Sequence, residues 1–325
     1  MIRGYDTGRP RDSTPRLRQV LLLRTGDGAF RVNPEQVPAF RPESGRVDLD
    51  YFRKIYRFFT QSQALAIGSS ILAFVILISM LGPLVSPRAG TEQHILDRLQ
   101  GPRLKYLFGT DQYGRDLLSR TLLGGRTSLI LGVGAVTLGL LLGIPIGLLT
   151  GYFRGRTDEI IMRFMDTLLS FPSLLMALLI ITALGASLSH AMLAIGIANC
   201  PGISRIVRSA TLSVRNEEFV LAAEARGESH LYIMFSEIFP NILPPTIIEG
   251  TIRIGFAMLI GASLSFLGLG VQPPQADWGL MIRDSREYLF LSPWPLIFPG
   301  AALGITIIGF NLFGDGLRDA VGGVE

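Results

Sequence analysis

Six stretches of the chain are strongly apolar and almost free of charged residues. A helix needs about 20 predominantly apolar residues to cross the hydrocarbon core of a bilayer. The pattern therefore predicts an all-α integral membrane protein with six transmembrane helices, at residues 64–85, 127–151, 167–189, 191–204, 246–270 and 288–313. The fourth stretch contains Pro201 and reaches a spanning length only if it borrows residues 187–190.

The basic residues predict the side of the membrane on which each loop lies. Loops with an excess of Arg and Lys remain in the cytoplasm. Basic residues precede the first predicted span, fill the loop after the second and follow the fourth, so we expect both termini in the cytoplasm. The loop after the first span is also rich in Arg, but it is long and includes Asp97, Asp111 and Asp116, which favours a folded external segment.

These assignments divide the chain into successive regions. The N-terminal tail is rich in Arg and Pro and is expected to be partly disordered, with a pattern that suits a small hairpin around Asp27-Gly28. The predicted regions are a cytoplasmic tail at 1–60, a first span at 61–86, an external folded loop at 87–126, a core of five spans at 127–315 that includes a cytoplasmic loop at 216–245, and a cytoplasmic C-terminus at 316–325.

The composition agrees with a membrane protein and excludes other classes. Only 17% of the 325 residues are charged, whereas soluble domains have roughly 25%. The single cysteine, Cys200, cannot form an internal disulfide, and with three histidines it cannot build a thiolate zinc site. The net charge of +4 comes from a chain whose basic residues are nearly all Arg. We expect no nucleic-acid partner.

Glycines recur at every fourth position in the second predicted span. Gly139, Gly143, Gly147 and Gly151 line one helix face with hydrogen atoms only, which lets another backbone come close. We predict a helix-packing role for Gly139, Gly143 and Gly147, although glycine-rich membrane helices also show this spacing without one.

Three ionisable residues belong to the predicted spans or adjoin them. Asp166, Glu249 and Arg253 all lie near span ends. Ionisable groups at membrane depth usually face protein or water. We favour an interfacial position for all three over a role in a transport path.

The polar loop between the fourth and fifth predicted spans has the pattern of two helices. Asn216 is a suitable N-cap with Glu217 and Glu218 in the first turn, and Gly227 can end this helix in a left-handed conformation. A second helix is expected to start at Ser229. It would carry four apolar residues on one face, Leu231, Met234, Phe235 and Ile238, and would be stopped before the membrane by three prolines, Pro240, Pro244 and Pro245.

This elbow resembles the EAA loop of bacterial ABC importer permeases, which couples the permease to its ATPases. The corresponding positions are Glu218, Ala222, Ala223, Gly227, Ile238, Pro240 and Asn241. Three further stretches, at residues 108–120, 265–279 and 314–319, resemble the dipeptide, oligopeptide and nickel subfamily. The matches extend over residues 108–319, and the external loop is similar to that of the second permease of this subfamily.

The resemblance implies a type I ABC importer permease fold and a subunit that takes up di- or oligopeptides delivered by an extracytoplasmic binding protein. The implied partners are a second, homologous permease, two ATPase subunits, the binding protein and membrane lipid, in the bacterial inner membrane. ATP and Mg are expected on the ATPases, and no cofactor or metal on this chain.

The external signature loop contains Gly109, Thr110, Asp111, Gly114, Arg115 and Asp116. The glycines permit turns, and either aspartate can pair with Arg115 or Arg120. A calcium site is disfavoured, because the EF-hand pattern and its closing Glu are missing.

The elbow departs from the family at two places, Glu224 with Arg226 and Ser236 with Glu237. The family usually has Arg or Leu at the first place and a basic pair at the second. The altered charge speaks against the assumption that any ATPase of the family would fit this elbow.

The sequence does not predict an enzyme. Neither Lys54 nor Lys105 follows a glycine, so the chain has no Gly-Lys pair with which to build a P-loop. Uptake of nickel or another small solute is the alternative within the subfamily. A secondary transporter, which would need acids or broken helices at the midplane, is a further alternative.

Overall fold

The computed structural model describes residues 62–85 and 90–322, together with two short strands nearer the N-terminus. The chain divides into two units, residues 1–52 and 53–325. In the first, β1 (Leu23–Arg24) and β2 (Phe30–Arg31) pair antiparallel on either side of Asp27-Gly28, as the hairpin prediction requires. The rest of the predicted tail at 1–60 lies outside the described residues.

The second unit is built from helices. In chain order these are α1 (Gln63–Val85), α2 (Leu117–Phe153), α3 (Gly155–Leu169), α4 (Ser173–Leu184), α5 (Leu188–Val214), α6 (Glu218–Ala225), α7 (His230–Phe266), α8 (Trp278–Ser285) and α9 (Trp294–Gly322). Single 3₁₀ turns lie at Ile95–Asp97 and Arg286–Tyr288. The helix of the second predicted span thus begins at Leu117, ahead of residue 127.

Four helices of the described region, α1, α2, α7 and α9, are long and apolar enough to cross a membrane. A fifth span results if α3 and α4, which are bent by 90° relative to each other, form one broken crossing. The fourth predicted span corresponds to α5, whose 27 residues suffice in length but include Arg205 and Arg208. Length and apolarity therefore support four or five of the six predicted spans.

The third predicted span, residues 167–189, is wrong as a single helix. Thr167 belongs to the last turn of α3, and α4 starts afresh at Ser173. The break falls at Pro172, since proline has no N–H to donate and keeps the residue before it, Phe171, out of the helical conformation. The 12 residues of α4 give a length of about 18 Å, too short to cross a bilayer alone.

Two ion pairs attach α3 to α5. Arg208 donates two hydrogen bonds of 2.5 Å to the carboxylate of Asp158, and Arg205 pairs with Asp166. Met162 and Met165 of α3 are buried on the same side of the helix. Asp166 is thus half exposed on α3, and Arg205 neutralises its charge.

The helices α2 and α5 pack backbone against backbone along the glycine stripe. A Cβ atom added at Gly139 or Gly143 would lie 3.2 Å from a carbonyl oxygen of α5, that of Gly196 or Cys200. At Gly147 the same atom would lie 2.6 Å from the carbonyl oxygen of Ser204. The three predicted packing glycines therefore face one neighbouring helix, where no larger residue fits.

Replacing Gly147 with Ala should destabilise the protein, because the added methyl group would meet the Ser204 carbonyl and Val207 Cβ, both at 2.6 Å. Overpacking of this kind costs about 1–3 kcal/mol, which thermal unfolding in detergent would detect as a lower Tm. The control is Gly304→Ala on α9, where the new methyl group has no neighbour within 4 Å. Equal Tm values for the two variants would contradict the close approach.

Candidate functional site

The first arm of the elbow is α6, and both of its ends are defined by backbone hydrogen bonds. The predicted cap is wrong by one residue: Glu217 is the N-cap, whereas Asn216 bonds back to the carbonyl of Leu212 and accepts from Arg154. At the other end Gly227 has φ +77°, and the N–H groups of Gly227 and Glu228 donate to carbonyls of the last turn. This is the Schellman arrangement that glycine favours.

The second arm is the start of α7, and it does not stop before the membrane. Ser229 caps it, accepting from the N–H of Tyr232 at 3.3 Å, and the helix then continues to Phe266. The prediction that Pro240, Pro244 and Pro245 end the helix is wrong. A π-helical segment at Ile233–Ile238 precedes the prolines, and its wider turn absorbs part of the disruption that proline causes.

The π-helical segment also divides the apolar face predicted for this arm. Met234 and Ile238 are 2% and 0% exposed, whereas Leu231 and Phe235 are 65% and 54% exposed. A π-helix has more residues per turn than the 3.6 on which the prediction was based. Two residues therefore hold the arm against the protein, and two remain on its surface.

The elbow rests on the adjoining ends of α2 and α5 through an apolar cluster. Val220 and Ala223 of α6 pack with Ile233 and Ile238 of α7 against Leu148 and Tyr152 of α2, and Ile203 and Val207 of α5 complete the cluster. The Tyr152 hydroxyl also hydrogen-bonds Nδ1 of His230 at 2.9 Å, and the Arg215 guanidinium lies over the Tyr152 ring. The elbow is therefore packed as part of the helical body.

The predicted coupling residues fall into two groups. Ala223 and Ile238 are fully buried and position the elbow. The other predicted residues are exposed, namely Glu218, Ala222, Gly227, Pro240 and Asn241. They share the outer surface with apolar side chains that the sequence analysis did not assign to a contact surface: Phe219, Leu221, Leu231, Tyr232 and Phe235. Together these residues form a surface that we call the elbow face.

The two departures from the family pattern lie close together in space. Arg226, which follows α6, is 3.6 Å from Glu237 in the π-helical segment and 3.6 Å from Glu228. Glu224 lies 3.8 Å from Arg215. The unusual charges thus compensate each other across the elbow.

The loop at residues 90–116 is organised around Asp111. Its carboxylate accepts hydrogen bonds from the N–H groups of Tyr113 and Arg115 and pairs with the Arg115 side chain at 2.6 Å. Arg120 Nε lies 3.6 Å from the same carboxylate. All three ionisable side chains are at least 90% buried, so one carboxylate pairs with two buried cations.

The other predicted loop residues provide turns and a cap. Gly109 and Gly114 have φ values of +83° and +73°, which glycine adopts without strain. Asp116 caps α2 by accepting from the N–H and hydroxyl of Ser119. The Thr110 hydroxyl accepts from the Gln100 N–H at 2.9 Å. The six predicted residues therefore belong to one connected loop.

Asp97 links the start of this loop to Lys105 and Tyr106 at the loop surface. Hydrogen bonds from the Lys105 ammonium and the Tyr106 hydroxyl lower the pKa of Asp97 to about 2. Because the pKa is lowered by folding, the stabilisation is present above the ordinary pKa of aspartate and is lost as the pH falls towards 2.

A buried aspartate that the sequence analysis did not select joins α8 to α2. Asp277 accepts from the Ser128 hydroxyl at 2.7 Å and from the Leu280 N–H, and Trp278 Nε1 donates to the Thr121 carbonyl. Burial raises the pKa of Asp277. The pattern Asp-Trp-Gly at a helix start is the sequence signal that could have identified this N-cap.

The remaining ionisable pair lies within α7, beyond the elbow. Glu249 and Arg253 are one turn apart, with Oε1 and Nε 2.7 Å from each other. A Cβ at the adjacent Gly250 would contact Leu140 at 3.2 Å, and Leu140 lies near the middle of the uncharged run 127–151. The pair is therefore level with the middle of that run, which favours a deeper position than the predicted interfacial one.

Within residues 62–85 and 90–322 no group of three His, Cys, Asp or Glu side chains could hold a metal ion. The candidate sites in these residues are the elbow face, the 90–116 loop and the deep ion pair.

Comparison with known proteins decides the family. Residues 143–322, which include the elbow, match the model for the binding-protein-dependent transport system inner membrane component. A dipeptide transport system permease protein, DppC of Alkalihalophilus pseudofirmus, is 41% identical over 280 residues, which are 86% of this chain and 92% of that protein. The chain belongs to this family. The permease is thus a multi-pass membrane protein and a transport subunit of an ABC importer.

Other relatives of the permease have related names. The di/tripeptide transport system permease protein DppC of Pseudomonas aeruginosa is 36% identical over 83% of this chain and 91% of its own length. The glutathione transport system permease protein GsiD of Pectobacterium atrosepticum is 36% identical over 88% of this chain and 94% of its own.

A solved structure agrees with the predicted fold of the permease. A chain of the MetNI methionine ABC transporter, in an inward-facing conformation, gives a TM-score of 0.52 at 19% identity and covers 63% of this chain and 96% of that chain. This likeness concerns the fold alone. The permease therefore has the type I ABC importer fold that the sequence predicted.

Replacing Asp111 with Asn should unfold the 90–116 loop of the permease, because Arg115 and Arg120 would remain buried without the carboxylate that pairs with both. Removing one partner of a buried pair costs about 3–5 kcal/mol. Limited proteolysis of the purified protein, together with its Tm, would measure the loss. Glu92→Gln is the control in the same loop: Glu92 and its partner His94 are 51% and 41% exposed, so the change should be small. Similar losses in both variants would contradict the central role of Asp111.

Proposed function

We propose that this chain is a permease subunit of an ATP-driven importer that takes up di- or oligopeptides delivered by an extracytoplasmic binding protein. The observation that carries the proposal is the elbow, an exposed apolar surface on a helix that continues without interruption into a membrane-spanning segment. The peptide permeases among the relatives support peptides as the substrate.

The elbow face has the character of a protein contact surface. Leu231, Phe235 and Leu221 are more than half exposed, and the small residue Ala222 on α6 is exposed as well. Exposed apolar patches bordered by charges are typical of protein interfaces. The proposed partner is an ATPase subunit whose groove accepts this face, with ATP and Mg bound there and not on the permease.

The continuity of α7 supports a mechanism for coupling. Closure of two ATPase subunits on ATP would displace the elbow, and since α7 runs from His230 to Phe266, the displacement would reach the membrane as a movement of the whole helix. A second, homologous permease would complete the pathway. The 90–116 loop, at the other end of α2, is the proposed contact for the binding protein.

This mechanism requires the elbow in the cytoplasm and the 90–116 loop outside. The test uses Ala222→Cys and Lys105→Cys, each in a Cys200→Ser background that removes the single native cysteine. A membrane-impermeant maleimide should label the Lys105→Cys variant on intact cells and the Ala222→Cys variant only after permeabilisation. Labelling of the Ala222→Cys variant on intact cells would refute the proposed orientation.

Replacing Ala222 with Glu should uncouple ATP hydrolysis from uptake while the protein still folds, because Ala222 is exposed. Burying an unpaired carboxylate at an interface costs several kcal/mol, so we expect uptake of a labelled dipeptide to fall at least about tenfold, and ATPase stimulation by the loaded binding protein to be lost.

Thr157→Glu is the matched control, since it adds the same charge at an exposed position of α3. It should retain uptake. Ala223→Glu shows what a folding defect looks like in the same assay. Ala223 is fully buried, so this variant should fail to fold. Wild-type uptake by the Ala222→Glu variant would exclude the elbow face as the ATPase contact.

A further inference from the structure

The deep ion pair of α7 reaches across to α5. Arg253 Nη1 donates to Oδ1 of Asn199 at 3.4 Å. The guanidinium lies over Gly202, where a Cβ atom would come within 2.6 Å of Nη2. Asn199 in turn adjoins Gly139, in the middle of the uncharged run of α2. Glu249, Arg253 and Asn199 therefore form one polar cluster, which we call the midplane cluster.

The midplane cluster has unused hydrogen-bonding capacity. The 3.4 Å bond to Asn199 is long for an N–H···O contact. Arg253 Nε lies close to the Glu249 carboxylate but is not aligned with it, so it makes no hydrogen bond. Among residues 62–85 and 90–322, Arg253 Nη2 and Glu249 Oε2 also have no hydrogen-bond partner. A guanidinium with five donors thus uses one of them here.

The cluster also borders a helix face that the described helices leave open. Glu249 and Arg253 side chains are 19% and 22% exposed. Phe256, one turn further along the same side of α7, is 57% exposed. The other sides of α7 are covered: Gly250 and Gly261 pack against α2, and Gly255 packs against α9. An ionisable group that reaches an open face of a membrane-spanning helix indicates a functional site.

We propose that Glu249, Arg253 and Asn199 bind the charged termini of a peptide inside the translocation pathway. The inference rests on the proposed function. Arg253 would hold the peptide carboxylate through paired N–H donors, the geometry in which guanidinium binds carboxylate most strongly, and Glu249 would accept the peptide ammonium group. A zwitterionic peptide brings no net charge to the cluster.

Without a peptide, Glu249 and Arg253 neutralise each other, which reduces the free-energy cost of holding them in the membrane.

The cluster also bridges two helices that lie on either side of the elbow in the chain, α5 before it and α7 after it. A movement of the elbow would therefore change the separation of Arg253 from Asn199. This arrangement connects peptide binding at the midplane with movement at the elbow.

The experiment uses the complete transporter in proteoliposomes, with its binding protein and labelled Ala-Ala, and compares Glu249→Gln, Arg253→Gln and the double variant. The binding protein is the same throughout, so differences report the permease. If the cluster only joined α5 to α7, uptake would fall in the single variants, each of which leaves one buried charge unpaired. It would recover in the double variant, in which no buried charge is left unpaired. Our proposal expects at least about a tenfold loss of uptake in all three, as for loss of a charge-assisted contact. Thr251→Val, on the side of α7 away from α5, should retain uptake.

Tm and subunit assembly are measured for each variant. Uptake by the double variant within twofold of wild type would overturn the inference. If the double variant fails to assemble, Arg253→Lys provides the test. Lysine can still reach Glu249 but lacks the planar fork of the guanidinium. A raised KM for Ala-Ala supports the inference, and an unchanged KM overturns it. Absence of Ala-Ala uptake by the wild type, with ATP hydrolysis intact, would instead contradict the proposed function.

Discussion

The close approach of α2 and α5 is the contact on which the rest of the structure depends. Glycine Cα atoms of one helix lie directly against carbonyl oxygens of the other, from Gly139 in the middle of the uncharged run 127–151 to Gly151 beside the elbow. Lipid chains are as apolar as leucine, so membrane helices associate through close packing and not through the hydrophobic effect. The elbow cluster then rests on the end of this pair, where Leu148, Tyr152 and Val207 form its base.

The contacts at the two ends of the molecule differ in kind. At the end with the 90–116 loop, buried carboxylates fix the elements: Asp111 holds two arginines, and Asp277 holds Ser128 of α2. Hydrogen bonds to carboxylates are directional and lose their energy when the partners shift. At the elbow the buried contacts are mostly between aliphatic side chains, which have no preferred direction. The proposed transporter therefore combines an end held by directional hydrogen bonds with an end held by apolar packing.

The sequence predicted the fold class, the approximate positions of the apolar helices and the two arms of the elbow, because hydropathy and capping are local properties. The predictions were wrong where the local structure depends on contacts with residues elsewhere in the chain. Proline at position 172 breaks a helix, whereas Pro240, Pro244 and Pro245 do not, since the π-helical segment before them adjusts the backbone. Local spacing likewise could not separate buried Ile238 from exposed Phe235, or show that α7 packs on Leu140 of α2 beside Glu249.

The break between α3 and α4 and the polar residues of α7 depart from an unbroken apolar helix in different ways. A membrane helix that is entirely apolar and unbroken offers a passing polar solute no hydrogen-bonding group. At the break Phe171 is exposed, but the N–H groups of Ser170 and Phe171 still donate to carbonyls of α3. Irregular backbone at membrane depth is tolerated where it is covered by protein or lines a cavity. The midplane cluster, in contrast, supplies side-chain donors and acceptors on α5 and α7. The cluster, and not the break, therefore provides the polar groups that the proposed pathway needs.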